Sequence, residues 1–265
     1  MKKTVLFMMM ACSIMLVLPN CVHVVNSSAN GLTGNGTAKS DDRGKMNFSA
    51  IKTSGAVGIV ISEASDASVI VSGDENLIDN VETYVNDDIL YVRFNKNGGY
   101  NSKLGLKVIV PNNGRINNIS ASGSADVLVE SLLVADKLRV SCSGSSDFKG
   151  NIKASVCELT FSGSSDFNGS VEAAKVSISC SGSSDCTISG IADICKISAI
   201  GSCDFNGYNF IVNKCNAMAS GSSDIQITCD GELTANASGS SSIYYKGAAK
   251  VVNKVSTGSS DIEHK

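Results

Sequence analysis

The sequence predicts an all-β fold, a parallel β-helix (solenoid) of about 19-residue coils that follows a less regular N-terminal capping region. Three observations support this fold class. A Ser-Gly-Ser-Ser-Asp string or a near variant of it recurs eight times, apolar residues alternate with polar ones around each copy, and the 265 residues include 25 glycines but only 2 prolines. Many glycines with few prolines suit a chain that turns often and keeps its backbone N–H groups in hydrogen-bonded ladders.

The first 29 residues predict a secretory signal. Lys2 and Lys3 form a positive start, residues 5–18 form an apolar run, and Pro19 ends that run. No second apolar run of spanning length follows, so we expect no transmembrane domain in the mature chain. The protein is therefore expected to be exported: periplasmic, on the outer-membrane surface, or secreted.

The processing site has two candidates. Small residues at 27–29 favour cleavage before Asn30, which is the first expectation. Lipidation at Cys21 is the alternative, and it would leave the mature protein with a lipid anchor.

Residues 46–262 are predicted to form a single β-helix domain. Its first part, residues 46–114, has strand-like runs separated by turn residues and is expected to cap the stack, because end coils must shield an open core. The repeats occupy residues 115–262. Residues 30–45 are polar and glycine-rich and are expected to be a flexible lead.

The repeats are marked by a glycine that recurs every 18 to 21 residues. The repeat glycines are Gly123, Gly144, Gly163, Gly182, Gly201, Gly221, Gly239 and Gly258. Residues six, four and two positions before each glycine, and four after it, are almost all apolar, whereas the residue five before is always polar. This period of two predicts strands with one buried face.

Like positions of successive coils should stack in columns inside the protein. The column four after the glycine contains Val127, Phe148, Phe167, Cys186, Phe205, Ile225, Ile243 and Ile262, and the column six before it ends at Val252. A second inward side is predicted at Ile152, Val171, Ile191 and Phe210. An antiparallel β-sandwich is the alternative, although its turns usually recur every 8–12 residues.

An aspartate column is the strongest polar feature of the repeats. It contains Asp126, Asp147, Asp166, Asp185, Asp204, Asp224 and Asp261, with Ser242 between the last two. We expect each carboxylate to face solvent and to close its own turn by accepting nearby backbone N–H groups. A ladder of Ca²⁺ ions is the alternative, since hard cations prefer carboxylate oxygens, but we predict no metal site and no cofactor.

Eight cysteines lie beyond the signal, none of them in a C-x2-C pair. Several share inward columns with leucine, valine and alanine, as buried free thiols do. Cys195 and Cys215 fall in one column on consecutive coils, near enough for a disulfide. We expect them to be close and mostly unbonded, with a disulfide as the alternative.

No catalytic residues are predicted. The aspartates repeat along one line rather than converging, and of the two histidines His23 lies in the signal and His264 at the end of the sequence. No Ser/His/Asp or Cys/His set can be assembled from such positions, so we expect a protein that is not an enzyme. The absence of a clustered basic surface, with a net charge of −3, also argues against a nucleic-acid partner.

Several segments resemble the head GIN domain family (DUF2807), auto-transporter adhesin-like proteins of Bacteroidetes envelopes. The resemblance rests on residues 53–61, 69–77, 90–92 and 108–111, followed by the Ser-Gly-Ser repeats, and covers about residues 46–262. It implies a β-helical, exported, non-enzymatic protein without agreed catalytic residues.

Two functions are therefore expected. The first is an adhesin-like surface or periplasmic interaction module that binds an unknown protein or glycan at the cell envelope. The alternative is a carbohydrate-binding or carbohydrate-processing β-helix. Sugar-binding surfaces usually present aromatic rings, and the candidate aromatic patch in the repeats is Tyr208 with Tyr244 and Tyr245, because the chain has no tryptophan.

Overall fold

A computed structural model describes residues 31–64, 67–95 and 99–265 as a stack of parallel β-coils. The predicted parallel solenoid is confirmed: the successive repeat strands of residues 118–239 pair in parallel, each with the next along the chain. The predicted signal segment, with the two processing sites at Asn30 and Cys21, lies outside the described residues. In the described part, no helix is long and apolar enough to cross a membrane.

Ten strands form the repeats, and six of them run through 16 to 18 residues without interruption. The strands are β10 (Asn118–Gly123), β11 (Val127–Gly144), β12 (Phe148–Gly163), β13 (Phe167–Gly182), β14 (Cys186–Gly201), β15 (Asp204–Gly221), β16 (Asp224–Gly239), β17 (Ser242–Lys246), β18 (Lys250–Gly258) and β19 (Asp261–His264).

Each coil has two straight sides that enclose the core. The Ser-Gly-Ser-Ser-Asp turn joins the sides at one end, and a corner joins them at the other, where the pairing of β12 with β13 omits Ser155 and Ala174. Phe148, Phe167, Cys186 and Phe205 stack in one buried column as predicted. The ring centroids of Phe148 and Phe167 are 5.7 Å apart and the ring planes are nearly parallel.

The core compensates large residues with small ones inside each coil. Phe167 and Phe205 are each followed two residues later by a glycine, and a Cβ built on Gly207 would lie 2.4 Å from the ring of Phe205. Where Cys186 replaces the phenylalanine, buried Ile188 replaces the glycine. This exchange keeps the packed volume nearly constant from coil to coil.

In the described residues, the N-terminal part contributes nine strands and one short helix. They are β1 (Leu32–Thr33), β2 (Ala38–Asp42), β3 (Ala50–Gly55), β4 (Gly58–Ser62), β5 (Ile70–Asp74), α1 (Glu75–Ile78), β6 (Val81–Asn86), β7 (Ile89–Phe94), β8 (Tyr100–Asn101) and β9 (Lys107–Pro111).

A ninth coil in this part extends the regular stack. Strand β3 pairs in parallel with β10, which brings Gly55 opposite Gly123, and β4 pairs in parallel with β11. Beyond it lies a further coil of β7 and β9, and then the antiparallel strands β2, β5 and β6. The chain therefore goes out to the end of the stack and returns before the repeats begin.

Part of the segment expected to be a flexible lead is ordered. Strand β2 pairs antiparallel with β5, and the buried carboxylate of Asp74 accepts hydrogen bonds from the N–H groups of Gly36 (2.7 Å) and Lys103 (3.0 Å). Strand β2 contradicts the expectation of a flexible lead over residues 30–45, because its partner strand lies 28 to 36 residues further along the chain and composition alone does not reveal it.

Two residues expected inside the core lie outside it. Ile191 is 55% exposed because Gly190 takes the inward position opposite Val171. Val252 is 52% exposed because the pairing of β16 with β18 shifts by one residue there, so that Val251 faces Leu233. A shift of one residue turns a side chain to the opposite face of a strand.

Candidate functional site

The turn between the two sides is built on a column of glycines. In the described part of the chain, nine of them stack from Gly55 to Gly258, and the eight repeat glycines have φ between 78° and 109°. The carbonyl oxygen of each glycine from Gly55 to Gly239 accepts the N–H of the serine after the next glycine, at 2.6–2.8 Å. A Cβ on a repeat glycine would lie only 2.5–2.8 Å from the previous carbonyl oxygen. Glycine is therefore required both by conformation and by close approach.

A buried serine ladder runs beside the glycines. The N–H of Ser146 donates to Oγ of Ser165 on the next coil (3.2 Å), and the N–H of Ser165 donates to Oγ of Ser184 (3.2 Å). The Ser184 hydroxyl in turn donates to the carbonyl of Ser181 (3.1 Å). A buried amide left without an acceptor costs about 1–3 kcal/mol, so these hydroxyls stabilise each turn.

The aspartate column forms an exposed ladder that runs in the opposite direction. Oδ1 of Asp147 accepts the N–H of Asp166 (3.0 Å), Oδ1 of Asp166 accepts the N–H of Asp185 (2.8 Å), and Oδ1 of Asp185 accepts the N–H of Asp204 (3.1 Å). The carboxylates face solvent as expected, but these bonds go to the next coil rather than to their own turn. The expected closure of each turn by its own aspartate was wrong in this respect. The aspartates connect coils.

Stacked carboxylates raise one another's proton affinity. Partial burial raises the pKa of Asp166 above its ordinary value, and the charges of Asp147 and Asp185 raise it further, while the hydrogen bond from the Asp185 backbone opposes this. Partial burial also raises the pKa of Asp204, as do Asp185 and Asp224. Ionisation of the column therefore has an electrostatic cost.

The metal-ligating residue types do not converge. Across residues 31–64, 67–95 and 99–265, no group of three or more His, Cys, Asp or Glu side chains is placed to hold a metal ion. His264 lies in contact with Tyr245, with ring centroids 5.0 Å apart, and its Nε2 is 2.9 Å from the Gly247 carbonyl oxygen. Its ring is engaged with its neighbours.

The eight cysteines of the described part are buried and free. Cys195 and Cys215 are directly paired on neighbouring coils, as predicted, and Cys142 and Cys180 lie two coils apart. Burial raises the pKa of Cys157 to about 12, and the thiol contact with Cys215 together with burial raises the pKa of Cys195. Such thiols remain protonated at neutral pH and are poor nucleophiles.

The predicted aromatic patch is divided by the pleat of the strand. Tyr208 and Tyr244 lie on the outer surface of the last coils, whereas Tyr245 is turned inward and packs against the core. Adjacent residues of a strand point to opposite faces, and this separates Tyr245 from its neighbour.

Lysines join the two outer tyrosines into one surface cluster. Nζ of Lys246 lies 4.2 Å from the centroid of the Tyr208 ring, and Nζ of Lys265 lies 4.6 Å from that of Tyr244. Gln226 pairs with Tyr244 on the neighbouring strand and shares its outer face. We call Tyr208, Gln226, Tyr244, Lys246 and Lys265 the tyrosine–lysine patch. Sequence reasoning missed both lysines, because their contacts join different coils.

A second cationic region has a different character. A groove of about 510 Å³ is lined by residues that include Arg115, Lys137 and Arg139. Each cation is paired: Arg115 with Asp88 at 3.2 Å, and Lys137 and Arg139 with Glu158 at 3.4 and 2.6 Å. The groove is therefore nearly neutral and offers little attraction to an anion.

Known structures share this architecture. A protein from Parabacteroides merdae, described as a "putative adhesin", superposes with a TM-score of 0.81 at 22% identity, covering 89% of this chain and 100% of that one. A "putative adhesin" from Parabacteroides distasonis gives 0.81 at 22% identity, covering 88% and 100%. A "Putative lipid binding protein" from Parabacteroides distasonis gives 0.79 at 20% identity, covering 88% and 100%. A comparison with curated proteins found no match.

The stacked turns and the long parallel strands define a parallel β-solenoid. The chain belongs to the family described as "Putative auto-transporter adhesin, head GIN domain", whose model matches residues 47–249. The predicted family is confirmed. Its description is that of adhesins rather than of enzymes, and it indicates an extracellular or cell-envelope location.

Proposed function

We propose that this protein is a non-catalytic, exported interaction module that binds a protein or a glycan at the cell envelope. The observation that supports this most is the use of the polar turn residues. The serine hydroxyls and aspartate carboxylates from residue 146 to residue 204 bond the backbone of neighbouring coils, so they hold the stack rather than surround a reacting group. What remains is a rigid rod with repeating outer faces.

The dimensions suit such a role. Nine stacked turns at about 4.8 Å each give a regular stack of about 40 Å. Its strands are paired over almost their whole length, so the outer faces keep their shape in the free protein. A preformed surface binds with less loss of conformational entropy than a flexible one.

Location tests the exported part of this proposal. Intact cells, cells with a permeabilised outer membrane and lysed cells are treated with protease, and the protein is followed by immunoblot. A surface protein is digested on intact cells, and a periplasmic one only after the outer membrane is opened. A protein protected until the inner membrane is broken would contradict export.

Carbohydrate binding is a second candidate, favoured by the presence of Tyr208 and Tyr244 on one outer face. Aromatic rings beside hydrogen-bonding side chains are the usual means of holding sugars. A glycan array with the wild-type protein and a Tyr244→Ala variant tests it. Binding that depends on Tyr244 supports this candidate, and failure of every glycan to bind leaves a protein partner as the proposal.

A further inference from the structure

The ammonium group of Lys246 is exposed and held over the ring of Tyr208. Among the described residues it forms no ion pair with a carboxylate, unlike Lys137 or Arg139 of the groove. A cation–π contact orients an ammonium group without neutralising its charge. Lys246 is therefore positioned to receive an anion.

Lys265 extends the cationic edge of the patch. It lies over Tyr244 and forms an ion pair with Glu263, which raises the pKa of Lys265. Its charge is partly balanced by that carboxylate, so Lys246 is the stronger anchor. Each of the two ammonium groups lies over a tyrosine ring of the patch.

The patch also offers unused hydrogen-bonding groups. The hydroxyls of Tyr208 and Tyr244 form no hydrogen bond with any residue in the described part of the chain. The Gln226 side chain lies beside them, half-exposed, on the strand that pairs with β17. These groups match the hydroxyls of a sugar, which both donate and accept.

The charge of this end of the molecule supports an anionic ligand. Residues 242–265 contain four lysines and two acidic residues, a net charge of +2, although the whole chain has −3. The rest of the sequence therefore carries −5. An acidic ligand is attracted to the last coils and repelled by the aspartate column.

We propose that the tyrosine–lysine patch binds a saccharide that carries a carboxylate, such as a uronic acid unit. The carboxylate pairs with Lys246, the sugar hydroxyls bond the tyrosine hydroxyls and Gln226, and the sugar ring lies near the two phenol rings. This inference rests on the carbohydrate-binding form of the proposed function and names its ligand class.

Calorimetric titration of the mature chain tests the proposal. The probes are a tetragalacturonate and a neutral galactose tetramer of the same length. We expect the acidic tetramer to bind at least tenfold more tightly than the neutral one. Lys246→Gln should weaken it at least tenfold, and Tyr208→Ala should also weaken it, with unchanged thermal melts.

Lys250→Gln is the matched control. It removes the same charge from β18, which forms the other side of the same end coil. We expect less than a twofold change. An equal loss in Lys250→Gln would show nonspecific charge attraction and overturn the proposal, as would equal affinity for the neutral tetramer.

Vesicles with anionic phospholipid headgroups form the second arm. Tighter binding to these vesicles than to tetragalacturonate, lost in Lys246→Gln, would assign the patch to lipid and overturn the saccharide proposal. Failure of all acidic and neutral saccharides to bind would also overturn it. That result leaves the interaction-module proposal standing, because protease accessibility and protein partners test it separately.

Discussion

At the scale of single residues, the repeat glycines are required for two reasons, a positive φ and a close approach to the previous coil. Only the first reason applies to Gly55. Gly163 has φ of +85° and faces the carbonyl oxygen of Gly144, where a Cβ would lie at 2.5 Å. Gly55 has φ of +87° but nothing within 4 Å of its Cβ position. The coil of β3 and β4 thus has the same positive φ at its glycine but no backbone atom close to the Cβ position.

Alanine substitution is expected to separate these two effects. Gly55→Ala should cost about 1–2 kcal/mol, the penalty for a left-handed backbone with a side chain. Gly163→Ala should cost at least about 3 kcal/mol, because the coils must also move apart. Urea unfolding of both variants measures the difference. Equal losses would show that contact between the coils contributes nothing.

The aspartate column predicts a pH dependence. A raised pKa in the folded state means that the folded protein binds protons more readily than the unfolded chain. Asp166 therefore lowers stability at pH 7, and this cost disappears as the pH falls through its folded pKa to the ordinary value of 3.8.

Asp166→Asn removes the charge and keeps an oxygen that accepts the Asp185 N–H. We expect this variant to melt at the same or a higher temperature than wild type at pH 7, with a smaller change in melting temperature as the pH falls from 7 to 3.8. Asp193→Asn, at an exposed corner away from the column, is the control. A lower melting temperature at pH 7 with an unchanged slope would contradict the electrostatic cost.

At the scale of strands and coils, much of the fold was predictable because the alternation has a strict period of two. The phenylalanine column was placed correctly from sequence. Gly190 and Val251 were not, since one extra residue in a corner changes which neighbour faces inward without altering composition. The ninth coil was missed because Ala56 and Val57 stand where the other copies have Ser-Ser, Ser-Ala or Ser-Cys.

The candidate site was predictable only in part. The sequence indicated Tyr208 and Tyr244, but the lysines that lie over their rings come from other strands. Lys265 lies over Tyr244 and Lys246 over Tyr208, contacts set by the stacking of coils rather than by proximity along the chain. The direction of the aspartate ladder was unpredictable for the same reason. Backbone N–H groups of its own turn and of the neighbouring turn are both available to each carboxylate, and the sequence does not distinguish them.

The register of β13 gives a prediction at this scale. Phe167→Asp places a carboxylate in a fully buried column, and burial of an unpaired charge costs several kcal/mol. We expect this variant to lose its cooperative melt. Asn168→Asp adds the same charge at the adjacent exposed position and should melt within a few degrees of wild type. A cooperative, unshifted melt for Phe167→Asp would contradict the register.

At the scale of the whole molecule, the reactivity of the buried thiols indicates whether the stack of coils opens. Cys195 and Cys215 face each other across neighbouring coils. The contact with Cys215 and burial raise the pKa of Cys195, which keeps that thiol protonated. Formation of a disulfide also requires a suitable dihedral angle, which parallel side chains do not readily adopt.

We expect the eight thiols of the described chain to resist alkylation in the native protein and to react after unfolding in denaturant. Peptide mapping by mass spectrometry without reductant measures both reactivity and cross-links. A dominant Cys195–Cys215 cross-link in protein purified from the envelope would show that the pair is a covalent staple between coils.

The two ladders have a consequence for how such proteins change in length. From residue 146 to residue 185 the steps of both ladders use the same atoms. Removal of residues 164–182 would therefore bring the Ser146 N–H to Oγ of Ser184 in place of Ser165, with no new turn required. Phe167 and its compensating Gly169 would leave together. Duplication or loss of one coil therefore leaves the hydrogen bonds between the remaining coils nearly unchanged. Relatives can differ by whole coils while keeping both ends of the stack.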